Sequence, residues 1–260
     1  MDKLRIALIQ PVIAWENHEE NRRNIGSMIA GLSAIADLLI LPEMFNTGFS
    51  MKPGAISEEA GGKTLDWMKS ISASRNCAIA GSLNISDGGS YYNRMYFIDS
   101  GNVSAEYDKR HLFSMAGEGR AYTAGTSRKT VTFRGWKIGL NICYDLRFPV
   151  FSRRCPGFDF DLLINSANWP ETRSSHWRAL LPARAIENQA YVAGVNRAGS
   201  DENGFSYKGE SAAYDFLGNQ LVSAGHEAAV VTAELDPVSL SAYREKFPAW
   251  QDADDFTINS

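Results

Sequence analysis

The chain has 260 residues, a formal net charge of −4, 44% hydrophobic and 22% charged residues. These proportions are those of an ordinary globular protein and exclude a largely disordered or low-complexity polypeptide. No basic stripe with interleaved aromatics is present, which argues against nucleic acid as a partner. No apolar run reaches the ~20 residues that a membrane-crossing helix needs, which argues against a membrane partner.

The first residues, "MDKLRIALIQP", carry charge at once and then a short apolar strand ended by Pro11. A secretory leader would need a longer apolar stretch and a small-residue cleavage site. Three cysteines, Cys77, Cys143 and Cys155, are too few and odd in number for a disulfide framework. A cytoplasmic protein with reduced thiols is the expectation.

Leu4 to Gln10 is apolar on both faces and reads as a buried strand. Ile25, Met28, Ile29, Leu32 and Ile35 recur at helical spacing, and "ADLLILPE" reads as a second buried strand. A helix is predicted from Thr64 as N-cap, with Leu65, Met68 and Ile71 on one face. "CAIAGSLNI" and "YYNRMYFID" flank a hairpin turn at Asp87-Gly88-Gly89, and "SGN" turns the chain into "VSAEYDK". "TVTFRGWKIGLNIC" reads as two strands around Arg134-Gly135, followed by a short helix near residues 148–154. "DLLINSAN", "SSHWRALLPARAIENQ" and "AYVAGVNRAG" read as strand, helix and strand. Short strands follow at "SAAYDF", "NQLVSAG" and "AVVTAEL", and Pro237 opens a last helix. Alternating strands and helices with added hairpins make this an α/β protein with helices covering sheet faces, and its two similar halves suggest a layered sandwich.

Motifs for other chemistries are incomplete. "HEEN" at His18 and "HEAAV" at His226 lack the second histidine of a zinc helix, and there is no CxxC pair or phosphate loop. "GEGRAY" has two glycines of a dinucleotide fingerprint but no third.

Three polar residues instead sit where buried strands end: Glu43 after "LLILP", Lys109 after "VSAEYD" and Cys143 after "WKIGLNI". Such strand ends are where an α/β fold collects reactive groups. Alone, Glu43 reads equally as a loop carboxylate, Lys109 in "DKRH" as part of a solvated charge run, and Cys143 as a small core residue. Cys77 and Cys155 read as core and helix terminus.

Together, "LPEMFNTGFS", "YDKRHLF" and "NICYDLRFP" resemble the three catalytic blocks of the nitrilase superfamily of carbon–nitrogen hydrolases, in residue type, order and spacing. The resemblance continues through "INSANWPETRSSHWRALLPARAIENQAYVAGVNRAG", so residues 1–260 are expected to form a single domain of this type. It implies a four-layer α-β-β-α sandwich, a homodimer, and hydrolysis without cofactor or metal. It also implies Glu43 as general base, Lys109 as transition-state stabiliser, Cys143 as nucleophile, and Glu118 in "MAGEGRAYTAG" as a second glutamate that orients the lysine. A free thiol with a pKa near 8.5 is only ~3% ionised at neutral pH, so it needs such company. The backbone N–H of Tyr144 is the natural second oxyanion donor.

Arg147, four residues past Cys143, could hold a substrate carboxylate, or form a surface or interface salt bridge. Phe49, Phe148 and Trp169 are candidates for the aromatic walls of the cavity, or plain core. "NTGFSM", "YDKRHLF" and "NWPETR" look most like the bacterial omega-amidase branch. That branch hydrolyses the terminal amide of small 2-oxo dicarboxylic acid monoamides such as 2-oxoglutaramate. Sister branches cleave nitriles or N-carbamoyl compounds with the same three residues. A thiol peptidase pairing Cys143 with His176 or His226, and a non-catalytic ligand-binding relative, are the alternatives from other classes.

Overall fold

A computed structural model of the protein describes residues 1–33 and 36–258. The first half runs β1 (Leu4–Gln10), α1 (His18–Ala30), β2 (Leu38–Ile40), α2 (Pro53–Ile56), β3 (Glu58–Glu59), α3 (Lys63–Arg75), β4 (Ala78–Asp87), β5 (Ser90–Asp99) and β6 (Asn102–Asp108). The second half runs α4 (Glu118–Ala121), β7 (Lys129–Phe133), β8 (Trp136–Ile142), β9 (Leu162–Ser166), α5 (Ser174–Asn188), β10 (Tyr191–Val195), β11 (Ala198–Ser200), β12 (Ser206–Lys208), β13 (Ala212–Tyr214), β14 (Gln220–Ser223), β15 (Ala229–Leu235) and α6 (Pro237–Lys246). Among the described residues, no helix is long and apolar enough to cross a membrane.

Two main sheets result, ordered β15-β1-β2-β4-β5-β6, with β3 beside β4, and β14-β13-β10-β9-β8-β7. Side-chain alternation then sets the layers. Leu4, Ile6 and Leu8 of β1 pack into one core with Ile138, Leu140 and Ile142 of β8, between the sheets. Ala7 and Ile9 point the other way, into a second core with Ile25 and Ile29 of α1 and Leu65 and Met68 of α3. Trp177, Leu181 and Ala185 of α5 cover the outer face of the second sheet. The order helix, sheet, sheet, helix is the expected four-layer sandwich, and it explains why β1 and β2 are apolar on both faces.

Some expected boundaries move. Residue 62, a glycine, caps α3, while Thr64 lies inside the helix, where its hydroxyl accepts a 2.8 Å bond from Arg22 Nη1. α1 ends at Ala30 with Gly31 as its C-cap, and Leu32 packs on the core beyond it. Ile35 lies outside the described residues. The short helix expected near residues 148–154 is instead a 3₁₀ turn at Cys143–Arg147, directly on the end of β8. Cys155 makes an antiparallel bridge with Phe158 rather than ending a helix.

Candidate active site

The three strand ends converge. β2 runs out before Glu43, β6 ends at Asp108 immediately before Lys109, and β8 ends at Ile142 immediately before Cys143. Cys143 has φ +45°, left-handed backbone that a non-glycine residue seldom adopts and that clusters at functional sites. Asp145 holds this turn. Its buried carboxylate accepts the Ile142 N–H at 2.9 Å, the Tyr107 hydroxyl at 2.6 Å and the His111 N–H at 3.0 Å, and lies 2.7 Å from His111 Nδ1. One carboxylate thus ties the Cys143 turn to the segment that carries Lys109. That is why polar residues follow a cysteine at the end of a core strand.

Lys109 is 1% exposed and Glu43 and Glu118 are fully buried, so the "DKRH" run is not a solvated face. The Lys109 ammonium donates to Glu43 Oε1 at 2.7 Å and to Glu118 Oε2 at 2.9 Å, and lies 5.0 Å from the centre of the Phe49 ring. It also donates to Glu118 Oε1 at 3.0 Å, so its three N–H groups meet three carboxylate oxygens, two of them on the one carboxylate of Glu118. Glu43 is held on both oxygens, by Asn93 Nδ2 at 2.8 Å on Oε1 and by the Asn168 N–H at 2.8 Å on Oε2. The Asn93 amide is oriented in turn by the Ser82 hydroxyl, which donates to its Oδ1 at 2.8 Å and accepts the Met44 N–H at 2.9 Å. Glu118 accepts the Phe113 N–H at 2.5 Å. The Cys143 thiol donates to the Asn168 carbonyl at 3.8 Å.

Burial and the adjacent Glu43 push the Cys143 thiol well above its ordinary value, against the smaller opposing pull of Lys109. Burial also raises Glu118; Lys109 opposes this and Glu43 adds to it. Burial alone would lower Lys109, but Glu118 and Glu43 together raise it. The ammonium is therefore fixed, and the thiol rests protonated beside a carboxylate.

Cys143 opens into a cavity of about 480 Å³, within the range of small-molecule sites. Phe49, Tyr144, Arg147 and Trp169 are among the residues that line it. Tyr144 follows Cys143 in the first turn of the 3₁₀ segment, where no carbonyl of that turn can take its N–H. Arg147 lies with its guanidinium 4.6 Å from the Trp169 ring centre and donates to His176 Nδ1 at 3.0 Å. It makes no salt bridge among the described residues, which removes the intrachain salt-bridge reading.

Phe148 is a correction. It does not line the cavity but stacks on His111, centroids 3.8 Å apart, with its edge toward Tyr144. A 3₁₀ turn winds three residues per turn rather than 3.6, which changes the face a residue just past it presents. Glu118 likewise does not line the cavity; it sits behind Lys109. No histidine lines the cavity: His176 is on Arg147 and His226 is 3.4 Å from Glu210. This leaves a Cys–His pair without a geometry. Sequence reasoning missed Asn93, Asn168 and Arg173; the last two also line the cavity.

The carbon–nitrogen hydrolase family model matches residues 5–245. The chain is 45% identical over 259 residues to the omega-amidase YafV of Escherichia coli (strain K12), covering 99% of this chain and 100% of that one. It is 34% identical to a 2-oxoglutaramate amidase of Bacillus subtilis (strain 168), covering 96% and 97%. Among solved structures, a CN-hydrolase superfamily protein of Xanthomonas campestris with an arsenic adduct in its active site superposes over all of both chains, with TM-score 0.96 and 41% identity. The chain belongs to the carbon–nitrogen hydrolase family.

Proposed function

We propose that the protein is an omega-amidase that hydrolyses the terminal amide of a small 2-oxo dicarboxylic acid monoamide such as 2-oxoglutaramate. The observation that carries the substrate reading is Arg147: a guanidinium without a carboxylate partner among the described residues, on the wall of the cavity that the Cys143 thiol opens into. A half-buried guanidinium is well matched to a carboxylate, and a five-carbon monoamide has one at the far end from its amide. The relatives named omega-amidase and 2-oxoglutaramate amidase support the same choice.

In this reading Glu43 takes the thiol proton as sulfur attacks the amide carbon. The tetrahedral oxyanion accepts the backbone N–H of Tyr144 and an N–H of Lys109 that turns to it from one of the two Glu118 oxygens. Removing one such donor typically costs about 2.7–4 kcal/mol in the barrier. Glu43 then gives its proton to the amide nitrogen, the C–N bond breaks, and ammonia leaves a thioester on Cys143. Water, deprotonated by Glu43, attacks the thioester; the C–S bond breaks, and the proton returns to sulfur. Glu118 and Asn93 hold Lys109 and Glu43 in register throughout.

The test is ammonia release from a panel of 2-oxoglutaramate, uncharged amides, nitriles and N-carbamoyl amino acids. The 2-oxo monoamide should have the highest kcat/KM. A nitrile or N-carbamoyl compound turned over faster would transfer the assignment to a sister branch.

A further inference from the structure

Arg173 shares the cavity with Arg147, and both are half-buried. They are arranged around one indole. The Arg147 guanidinium lies over the Trp169 ring, while the Trp169 Nε1–H donates to the Arg173 carbonyl at 2.7 Å. The Arg173 guanidinium lies 5.2 Å from the centre of the Phe113 ring, and Phe113 packs edge-on against Tyr144. Aromatic faces therefore support both cations without neutralising them.

The acids near them are engaged elsewhere, and Glu43, which also lines the cavity, is paired with Lys109 at 2.7 Å. Glu171, two residues before Arg173, pairs with Lys208 at 3.0 Å. Asp145, two residues before Arg147, is filled by Tyr107, His111 and the Ile142 N–H. Asp201, which also lines the cavity, accepts the Tyr207 hydroxyl at 2.8 Å and the N–H groups of Asn203 and Phe205. Burial, and next the charge of Arg173, push Arg147 below its ordinary value, so the two cations sense each other. Holding two like charges together without a counter-ion is unfavourable, and an arriving anion with several acceptor oxygens relieves it.

We infer that Arg173 is a second substrate-binding residue: Arg147 takes the far carboxylate, and Arg173 takes the 2-oxo oxygen beside it, selecting 2-oxo acids over their 2-amino and unsubstituted counterparts. This rests on the amidase reading of the same cavity. A ketone oxygen next to a carboxylate offers a third acceptor, which one guanidinium engaged through its N–H edge with the carboxylate leaves unused. A 2-amino acid such as glutamine would bring an ammonium to a pair of guanidiniums with no free acid to receive it.

Two measurements test the inference. Calorimetric titration with 2-oxovalerate and with valerate, which lack an amide and are not turned over, reads the 2-oxo preference without any catalysis. The unaltered enzyme should bind 2-oxovalerate at least tenfold more tightly. Arg173→Met should reduce that advantage to threefold or less, whereas Arg147→Met should weaken both acids. Arg173→Lys, which keeps the charge but loses the planar fork, should reduce the advantage at least threefold and serves if the methionine variant does not fold. Ammonia release from 2-oxoglutaramate, glutaramate and glutamine gives the kinetic counterpart. No 2-oxo advantage, an advantage that survives Arg173→Met, or glutamine hydrolysed within tenfold of 2-oxoglutaramate overturns the inference. An Arg173-dependent advantage in an enzyme that releases no ammonia from any amide would overturn the amidase reading and leave this one standing.

Discussion

Cys143 carries its proton at rest because burial, and next the adjacent Glu43, disfavour the thiolate. Its folded value lies above that of an unfolded thiol, about 8.5. The native state therefore keeps the proton longer, and this contribution to stability is full below that value and falls as pH rises past it. Alkylation of Cys143 by iodoacetamide, followed on its own peptide by mass spectrometry, should keep accelerating through pH 9, where a free thiol levels off; a plateau at or below pH 8 would contradict the assignment. Cys143→Ala and Glu43→Gln should each lower turnover by several orders of magnitude, and the double variant should lose little more, because the two act in one proton transfer. Near-wild-type turnover by Glu43→Gln would mean the base is elsewhere. Lys109→Met should lose activity as severely and also stability, since it leaves Glu43 and Glu118 facing each other without their shared cation. Breaking a buried ion pair this way costs roughly 3–5 kcal/mol. A melting temperature equal to wild type would show that the pair of carboxylates does not need the ammonium.

Elements place these residues to within tenths of an ångström through contacts that no spacing announces. The loop after β6 is fixed by Gly125, whose N–H donates to the Lys109 carbonyl at 3.0 Å; a Cβ there would sit 2.1 Å from the Asp108 carbonyl oxygen. Gly125→Ala must therefore displace backbone next to Lys109. It should cost about 1–3 kcal/mol as an overpacking substitution and lower kcat by more than tenfold, read by thermal melting and ammonia release. Unchanged kcat would mean that Lys109 does not depend on that strand end. Glu43 and Cys143 were legible because each follows a run of apolar residues, where a charge or thiol has no packing reason to be, whereas Lys109 follows a mixed strand and was legible through the resemblance of "YDKRHLF". Asn93 was not, because it lies inside β5, and an asparagine within a strand gives no sign of which buried group its amide will meet. Asn168 was not, because asparagine after a strand is ordinary turn chemistry. Phe148 was misplaced for want of the 3₁₀ turn, and Thr64 because Gly62 needs no side chain to start a helix.

At the scale of the molecule, the layering was legible from strands apolar on both faces, whereas the pairing of Arg147 with Arg173 was not. They lie 26 positions apart in the chain, and only the packing of "NWPETR" against the Cys143 turn brings them into one cavity. The cavity is lined by Lys52, Lys109, Arg147 and Arg173 against Glu43 and Asp201, on a chain whose net charge is −4. Local field, not net charge, should steer the substrate. Raising salt from 0.01 to 0.3 M should lower kcat/KM for 2-oxoglutaramate several-fold and leave a neutral amide unchanged, because the Debye length shrinks from about 30 Å to under 8 Å; equal responses would remove the cationic wall from recognition. We also propose a homodimer, for which sedimentation equilibrium should give twice 28.7 kDa, and a monomer at micromolar concentration would contradict it. The central claim is that the amide's carbon passes through a covalent bond to Cys143. Acid-quenching the enzyme during turnover of 2-oxoglutaramate and mapping its peptides by mass spectrometry tests this most directly. The account predicts an acyl group, the substrate less ammonia, on the peptide that contains Cys143 and absent from Cys143→Ala. Steady turnover with no adduct at Cys143, or with Cys143→Ala still releasing ammonia at the wild-type rate, would contradict it.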